Sequence, residues 1–287
     1  MGARGAVSPI ITDFEQRICV VLILEEVAMR KKKPIRSDMG WSTSERIVVC
    51  GLDLPKEILG KVSLGDMAWL EIKGSLPSPQ QSAVFNAMLV TLVEHGMTPM
   101  AIASRLTYLG APESLQAAIA AGLCGMGTTY AGTAEGAARL LQEALREPGA
   151  RSELEAVARR VVTEHLEGKR PIPGIGHPLH KPIDPRTPRL FAIAEQNGFS
   201  GDYVKLLQLV SRVAESATGK SLPVNATGAI GALACELDID WRLCRGIAVI
   251  GRAIGLVGHI AEELRNPIAR EILERIEEES SAHQRPA

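Results

Sequence analysis

Apolar residues fall three or four positions apart over most of the chain, and strict alternation is scarce, which predicts a protein built from helices. The pattern starts at "SLGDMAWLEIKGSLPSPQQ" (63–81). Ser63 is placed to cap that helix, Asp66 stands at the capping-box position in place of Glu, and Gly74 with Pro77 and Pro79 closes it. "QQSAVFNAMLVTLVEHG" (80–96) sets Val84, Met88, Leu92 and His95 on one face and stops at Gly96. Helices are also expected in "MTPMAIASRLTYLGA" and "SLQAAIAAGLCGMG". The second is apolar nearly all round and is expected to lie deep inside.

After Gly132 the texture changes to charged and amphipathic, with a helical hairpin broken at Pro148-Gly149. Amphipathic helices follow in "PRLFAIAEQNG" and "DYVKLLQLVSRVAESATGK". "LPVNATGAIGALACELDI" starts polar and becomes an apolar helix, residues 242–266 make a long, mostly buried one, and "PIAREILERIEEE" ends the pattern on a charged one. The expected architecture is all-α. Residues 1–37 form an N-terminal extension, 38–132 and 237–287 a large helical domain, and 133–236 a small helical domain. A cleft between the two is where a site is expected.

Composition narrows the function. Hydrophobic residues are 46% of the 287 but aromatics only 3%, so the core must come from Ala, Leu, Ile and Val, which suit close helix packing. A net charge of −1 argues against nucleic acid as a partner. The run "ICVVLIL" (18–24) reads as a strand or buried edge and is too short to cross a bilayer, and the lysines after it read as solvated surface. The first ten residues lack a secretory pattern. Cys19, Cys50, Cys124, Cys235 and Cys244 include no CxxC pair, as expected for reduced thiols in a cytoplasmic protein, and no metal site is expected.

The stretch richest in chemistry is "IPGIGHPLHKPIDPR" (172–186). Gly174 and Gly176 allow close backbone approach to a ligand, and the prolines reduce the entropy lost on binding. His177 can polarise a carbonyl, and Arg186 can make a planar two-point contact with a carboxylate. Together they suit an α-keto or α-hydroxy acid. Arg252 sits in the apolar run "IAVIGRAIGLVG", where a buried guanidinium needs an anion: a ligand carboxylate or an internal acid. His259 reads as a packed structural histidine, His165 and His283 as surface residues, and His180 is open to either reading.

"GIGHPLHKPIDPR" resembles the Gly-x-Gly-His … Asp-Pro-Arg signature of the citrate synthase superfamily. Four more stretches in the family's order extend the resemblance over about 47–272: "KVSLGDMAWLEIKGSLPS", "VEHGMTP", "LPVNATGAIGAL" and "IGRAIGLVGHIAEEL". The "EHG" turn and short length resemble the citryl-CoA lyase branch. The resemblance implies a mostly helical subunit that dimerises and joins or cleaves an acyl-CoA, such as acetyl-CoA, and a keto acid such as oxaloacetate. His95 and His177 match the histidines that hold the ketone or hydroxyl, and Arg186 and Arg252 match carboxylate clamps. Arg265, with Arg270 second, is the candidate for an arginine donated across the dimer. Pro173, Gly174, Ile175 and Gly176 match the loop that receives coenzyme A, and Lys181 is placed to meet a CoA phosphate. No Gly-rich ATP cradle is present, so ATP-driven activation is not expected.

Two positions depart from the family. The catalytic aspartate falls on Thr227 in "NATG", and the enolising histidine falls on Tyr130 or Thr129 in "GTTYAG". A threonine hydroxyl does not serve as a base near neutrality, whereas a tyrosine can donate to an enolate oxygen. Three readings follow: a divergent C–C lyase or synthase whose proton is handled by Tyr130, His95 or water; another lyase or decarboxylase reaction on a related acid; and a non-catalytic carboxylate-binding subunit.

Overall fold

The computed structural model describes residues 34–130 and 132–284. The apolar run at 18–24 therefore lies outside the described residues. The chain divides after Ile58 into two compact units.

The first unit contains a three-stranded antiparallel meander of β1 (Gly40–Ser42), β2 (Ile47–Val49) and β3 (Leu52–Asp53), followed by a π-helical turn at Leu54–Ile58. Cys50 and Gly51 join β2 to β3 with φ of 48° and 85°. Such a two-residue connection, with both angles positive, matches the twist of the strands it joins. This segment was expected within a helical domain. Its strands are two or three residues long, too short to display an alternating pattern.

The second unit is helical. In chain order its α-helices are α1 (Leu64–Lys73), α2 (Pro79–Val93), α3 (Pro99–Gly110), α4 (Leu115–Cys124), α5 (Gly132–Ala144), α6 (Leu154–Glu167), α7 (Arg186–Gln196), α8 (Asp202–Thr218), α9 (Ala226–Glu236), α10 (Cys244–Arg265) and α11 (Ala269–Ser281). Local chemistry sets many of these ends. Ser63 Oγ accepts from the Asp66 amide at 3.1 Å, and Gly74 closes α1 in the left-handed region. Asp66 does not complete a capping box: its carboxylate takes the Ser82 hydroxyl and the Asn86 amide, tying α1 to α2. The full box belongs to Ser78 and Gln81 at the start of α2.

Helix α9 lies at the centre, with nine of its eleven residues buried. It packs on α5, α8, α7 and α2. Gly231 brings it against α5, where a Cβ would stand 2.7 Å from the Ala134 carbonyl oxygen. Helices α2 and α10 pack together across the expected domain boundary from α7 and α5, respectively. Helix α10 matches a bilayer in length and apolarity. Arg252, His259 and Glu263 are nevertheless buried on it against neighbouring helices, which makes it a core element. Helix α4 departs from expectation: only Ala118 and Gly122 are buried. Its small residues contact α3 and α10 on one side, and Leu115 on the other is 41% exposed.

Candidate functional site

The 172–186 loop is zipped onto the segment leading into α9. The Gly176 amide donates to the Pro223 carbonyl at 2.7 Å, the Asn225 amide to Gly174 at 3.0 Å, and the Asn225 side chain to Gly176 at 2.8 Å. Gly174 has φ of 91°, and a Cβ on it would stand 2.8 Å from the Gly228 Cα. The close approach that this glycine permits is thus to the start of α9, and Gly174 is buried there. Pro173, Ile175 and Gly176 are half-buried, and Lys181 is exposed.

His177 Nδ1 accepts the amides of Leu179 at 3.1 Å and His180 at 2.9 Å. An atom that accepts two amides carries no proton, so the ring proton sits on Nε2, which is free to donate. Burial and the neighbouring His180 push the imidazole below its ordinary pKa, and the two rings stack at 4.4 Å. The ring is therefore a neutral hydrogen-bond donor near pH 7. Arg186 opens α7 and is gripped by the fully buried Asp184. Nη1 of that guanidinium has no partner among the described residues.

His95 was expected on the face of α2, but the helix ends at Val93. Glu94 is extended, and its Oε1 accepts the amides of His95 and Gly96, so the chain turns out of the helix and exposes His95. Burial works to raise the Glu94 carboxyl, but those two amides and His259 hold it below the usual range. Arg252 is 7% exposed, and its Nε and Nη1 have no hydrogen-bond partner among the described residues. Burial lowers its pKa, opposed by Glu94.

His177 lies within electrostatic reach of His95 and Arg186, and Arg252 within reach of Glu94, the neighbour of His95. Tyr130 is 52% exposed and Arg265 is exposed at the end of α10, and among the described residues no hydrogen bond or ion pair joins either to this group. Thr227 is half-buried at the start of α9, and its hydroxyl is committed: it donates to Asn225 Oδ1 at 2.8 Å and accepts from Thr133 Oγ1 at 2.9 Å. Glu94 and Asp184 were not singled out from sequence. Both lie inside quoted motifs, beside the histidine and arginine they position.

The citrate synthase C-terminal domain family matches residues 54–275. The chain belongs to the citrate synthase family. It is 34% identical to a citryl-CoA lyase from Hydrogenobacter thermophilus, with a TM-score of 0.73 over 82% of this chain and 88% of that one. It shares the fold of an ATP citrate lyase from Methanothrix soehngenii determined with citrate and coenzyme A, at 23% identity and a TM-score of 0.68, covering 92% of this chain and 43% of that one. A probable ATP-citrate synthase from Dictyostelium discoideum is 25% identical over 83% of this chain and 40% of its own length. Citrate synthase 2 from Bacillus subtilis is 26% identical over 68% and 50%. The chain thus spans about half or less of these two curated relatives. Within the citrate synthase family it is all-α in its matched region, and its "NATG" helix start carries a hydroxyl where the resemblance implies a carboxylate.

Proposed function

We propose that this chain makes or cleaves the C–C bond between an acyl-CoA and a keto acid, as in citryl-CoA cleavage to acetyl-CoA and oxaloacetate. The observation that carries the reading is Arg252, a buried guanidinium with open donors near the His95 turn. Desolvating such a cation without a partner is costly, and a ligand carboxylate offsets that cost. Arg186 and Arg252 suit the two carboxylates of oxaloacetate. His177 Nε2–H is a neutral donor for the ketone or hydroxyl oxygen between them.

In cleavage, the substrate hydroxyl gives its proton to His95 as the carbonyl forms. The C–C electron pair passes to the thioester enolate, whose carbon takes a proton from water, and His95 returns the proton it received to solvent. Coenzyme A is read as lying along Ile175 and Gly176, with Pro173 and Gly174 bracing that strip and Lys181 at a phosphate. Tyr130 is the donor available to an enolate oxygen once it moves in. A homodimer belongs to the same proposal, supported by the exposed apolar side of α4 and the exposed Arg265. So do the two-lobed division at 133–236 and a cytoplasmic location, the latter supported by the free, buried Cys235 and Cys244.

Purified protein incubated with citryl-CoA should release acetyl-CoA and oxaloacetate. Absence of products alongside heat-stabilisation by citrate or oxaloacetate would replace this reading with a second one. That second reading, a carboxylate binder or a different lyase or decarboxylase, is favoured by the committed Thr227 hydroxyl, which leaves position 227 without a base.

A further inference from the structure

Behind the His95 turn runs a chain of charged side chains that the proposed chemistry does not use. Arg105, on α3, is fully buried. Its Nη1 donates to Glu263 Oε2 at 2.6 Å, and its Nη2 pairs with Glu262. Its Nε and Nη2 stand 3.3 and 3.0 Å from Nδ1 of His259. A guanidinium has donors only, so Nδ1 of His259 accepts and the ring proton lies on Nε2. Nε2 stands 3.2 Å from each Glu94 carboxylate oxygen. The far end is fixed too, since Glu263 Oε1 accepts the amides of Ile268 at 2.9 Å and Ala269 at 2.8 Å.

The spacing along α10 gives this chain its meaning. Arg252, Gly255 and His259 lie three and four residues apart, on one face. At Gly255 a Cβ would stand 2.0 Å from the Val93 carbonyl oxygen and 3.4 Å from Glu94 Oε2. The Glu94 carboxylate therefore lies over Gly255, with His259 one turn ahead and Arg252 one turn behind. A carboxylate so close to a buried, open guanidinium would be expected to pair with it. Here it does not: the amides of His95 and Gly96 and the His259 ring hold it instead, and Arg252 keeps Nε and Nη1 unpartnered among the described residues.

We infer that Arg105 and His259 are positioning residues that withhold Glu94 from Arg252, keeping that guanidinium open for a ligand carboxylate. Only the choice of citrate as ligand rests on the function proposed above. The relay fixes the His259 tautomer, the tautomer fixes Glu94, and Glu94 in turn shapes the His95 turn.

The test uses the full chain with His259→Leu, His259→Gln and the double variant His259→Leu/Glu94→Gln, read by crystallography and by calorimetric binding of citrate. In His259→Leu, Glu94 should swing into an ion pair with Arg252, and citrate affinity should fall about tenfold or more, the scale of one charged contact. Glutamine at 259 keeps a donor for Glu94 and an acceptor for Arg105, so that variant should bind within about threefold of the wild type. The double variant should recover, because a neutral side chain at 94 no longer competes. An open Arg252 in the His259→Leu structure, unchanged affinity, or no recovery in the double variant would each overturn the inference. Should His259→Leu fail to fold, Glu94→Gln alone decides, with affinity kept or raised as the expected result and a large loss as the overturning one. If the wild type binds no citrate, the functional reading fails, and the His259→Leu structure still decides this one.

Discussion

Asp184 grips Arg186, two residues ahead, along one edge of the guanidinium: Oδ1 accepts Nε at 3.0 Å and Oδ2 accepts Nη2 at 2.8 Å. Oδ2 also accepts the Ala226 amide at 2.9 Å, which ties the proline-rich loop to the first residue of α9. A carboxylate with no exposed surface thus sets the direction of a half-exposed arginine.

That grip is pH-dependent. Burial pushes the Asp184 carboxyl up, but the Arg186 guanidinium and the Ala226 and Arg186 amides bring it to about 2. An unfolded aspartate titrates near ~3.9, so the unfolded chain protonates first as pH falls. The stabilisation is complete above roughly pH 4 and is lost as pH falls through the folded value. Urea unfolding from pH 7 down to pH 2 should show this decline. Asp184→Asn should lose about 3 kcal/mol at pH 7 and flatten the acid limb; a wild-type limb in the variant would contradict the assignment.

Arg252→Met should separate stability from binding. Replacing a buried, unpaired cation with an apolar side chain of similar length should stabilise the unliganded protein by ~1–2 kcal/mol. Citrate affinity should fall by about 10- to 100-fold, the worth of one or two charged hydrogen bonds. Denaturant titration and calorimetry read the two effects, and a destabilised variant would mean that an internal partner was lost.

Thr227→Asp should raise citryl-CoA cleavage by about 100-fold, the lower range for a positioned general base. The new carboxylate cannot donate to Asn225 as the threonine does, so a stability cost of about 1 kcal/mol is expected alongside. Product formation measured by single-turnover assay checks the gain. No gain in a folded variant would assign the pocket to a different substrate.

Gly228→Ala should destabilise by at least ~2 kcal/mol, although alanine is worth ~1 kcal/mol more than glycine inside an ordinary helix. The added Cβ would stand 2.1 Å from the Gly174 carbonyl oxygen, and both groups are backbone or fixed to it. Thermal and urea unfolding would show the loss, and a neutral effect would mean that the loop stands off α9.

Much of the helical pattern was legible because it is written locally. Ser63, Ser78 with Gln81, and Asn225 each satisfy an amide three residues away, and Gly74 and Gly219 stop helices by adopting positive φ. The His177–Arg186 loop was legible for the same reason, since its prolines, glycines and paired polar groups lie within one short stretch. Helix α4 was not: its apolar composition predicted burial, but whether a face is covered depends on what packs over it.

The sequence by itself therefore determined the helical class and such local ends as the Ser63 cap and the Gly74 stop, because those depend on neighbours a few positions apart. Only the tertiary structure decided that Asp184 is buried, that Gly174 backs onto Gly228, and that Arg105 reaches His259 over a separation of 154 residues to hold Glu94. Hydrogen bonds and desolvation act over a few ångströms of space. Groups far apart in the chain acquire these roles only when folding brings them together.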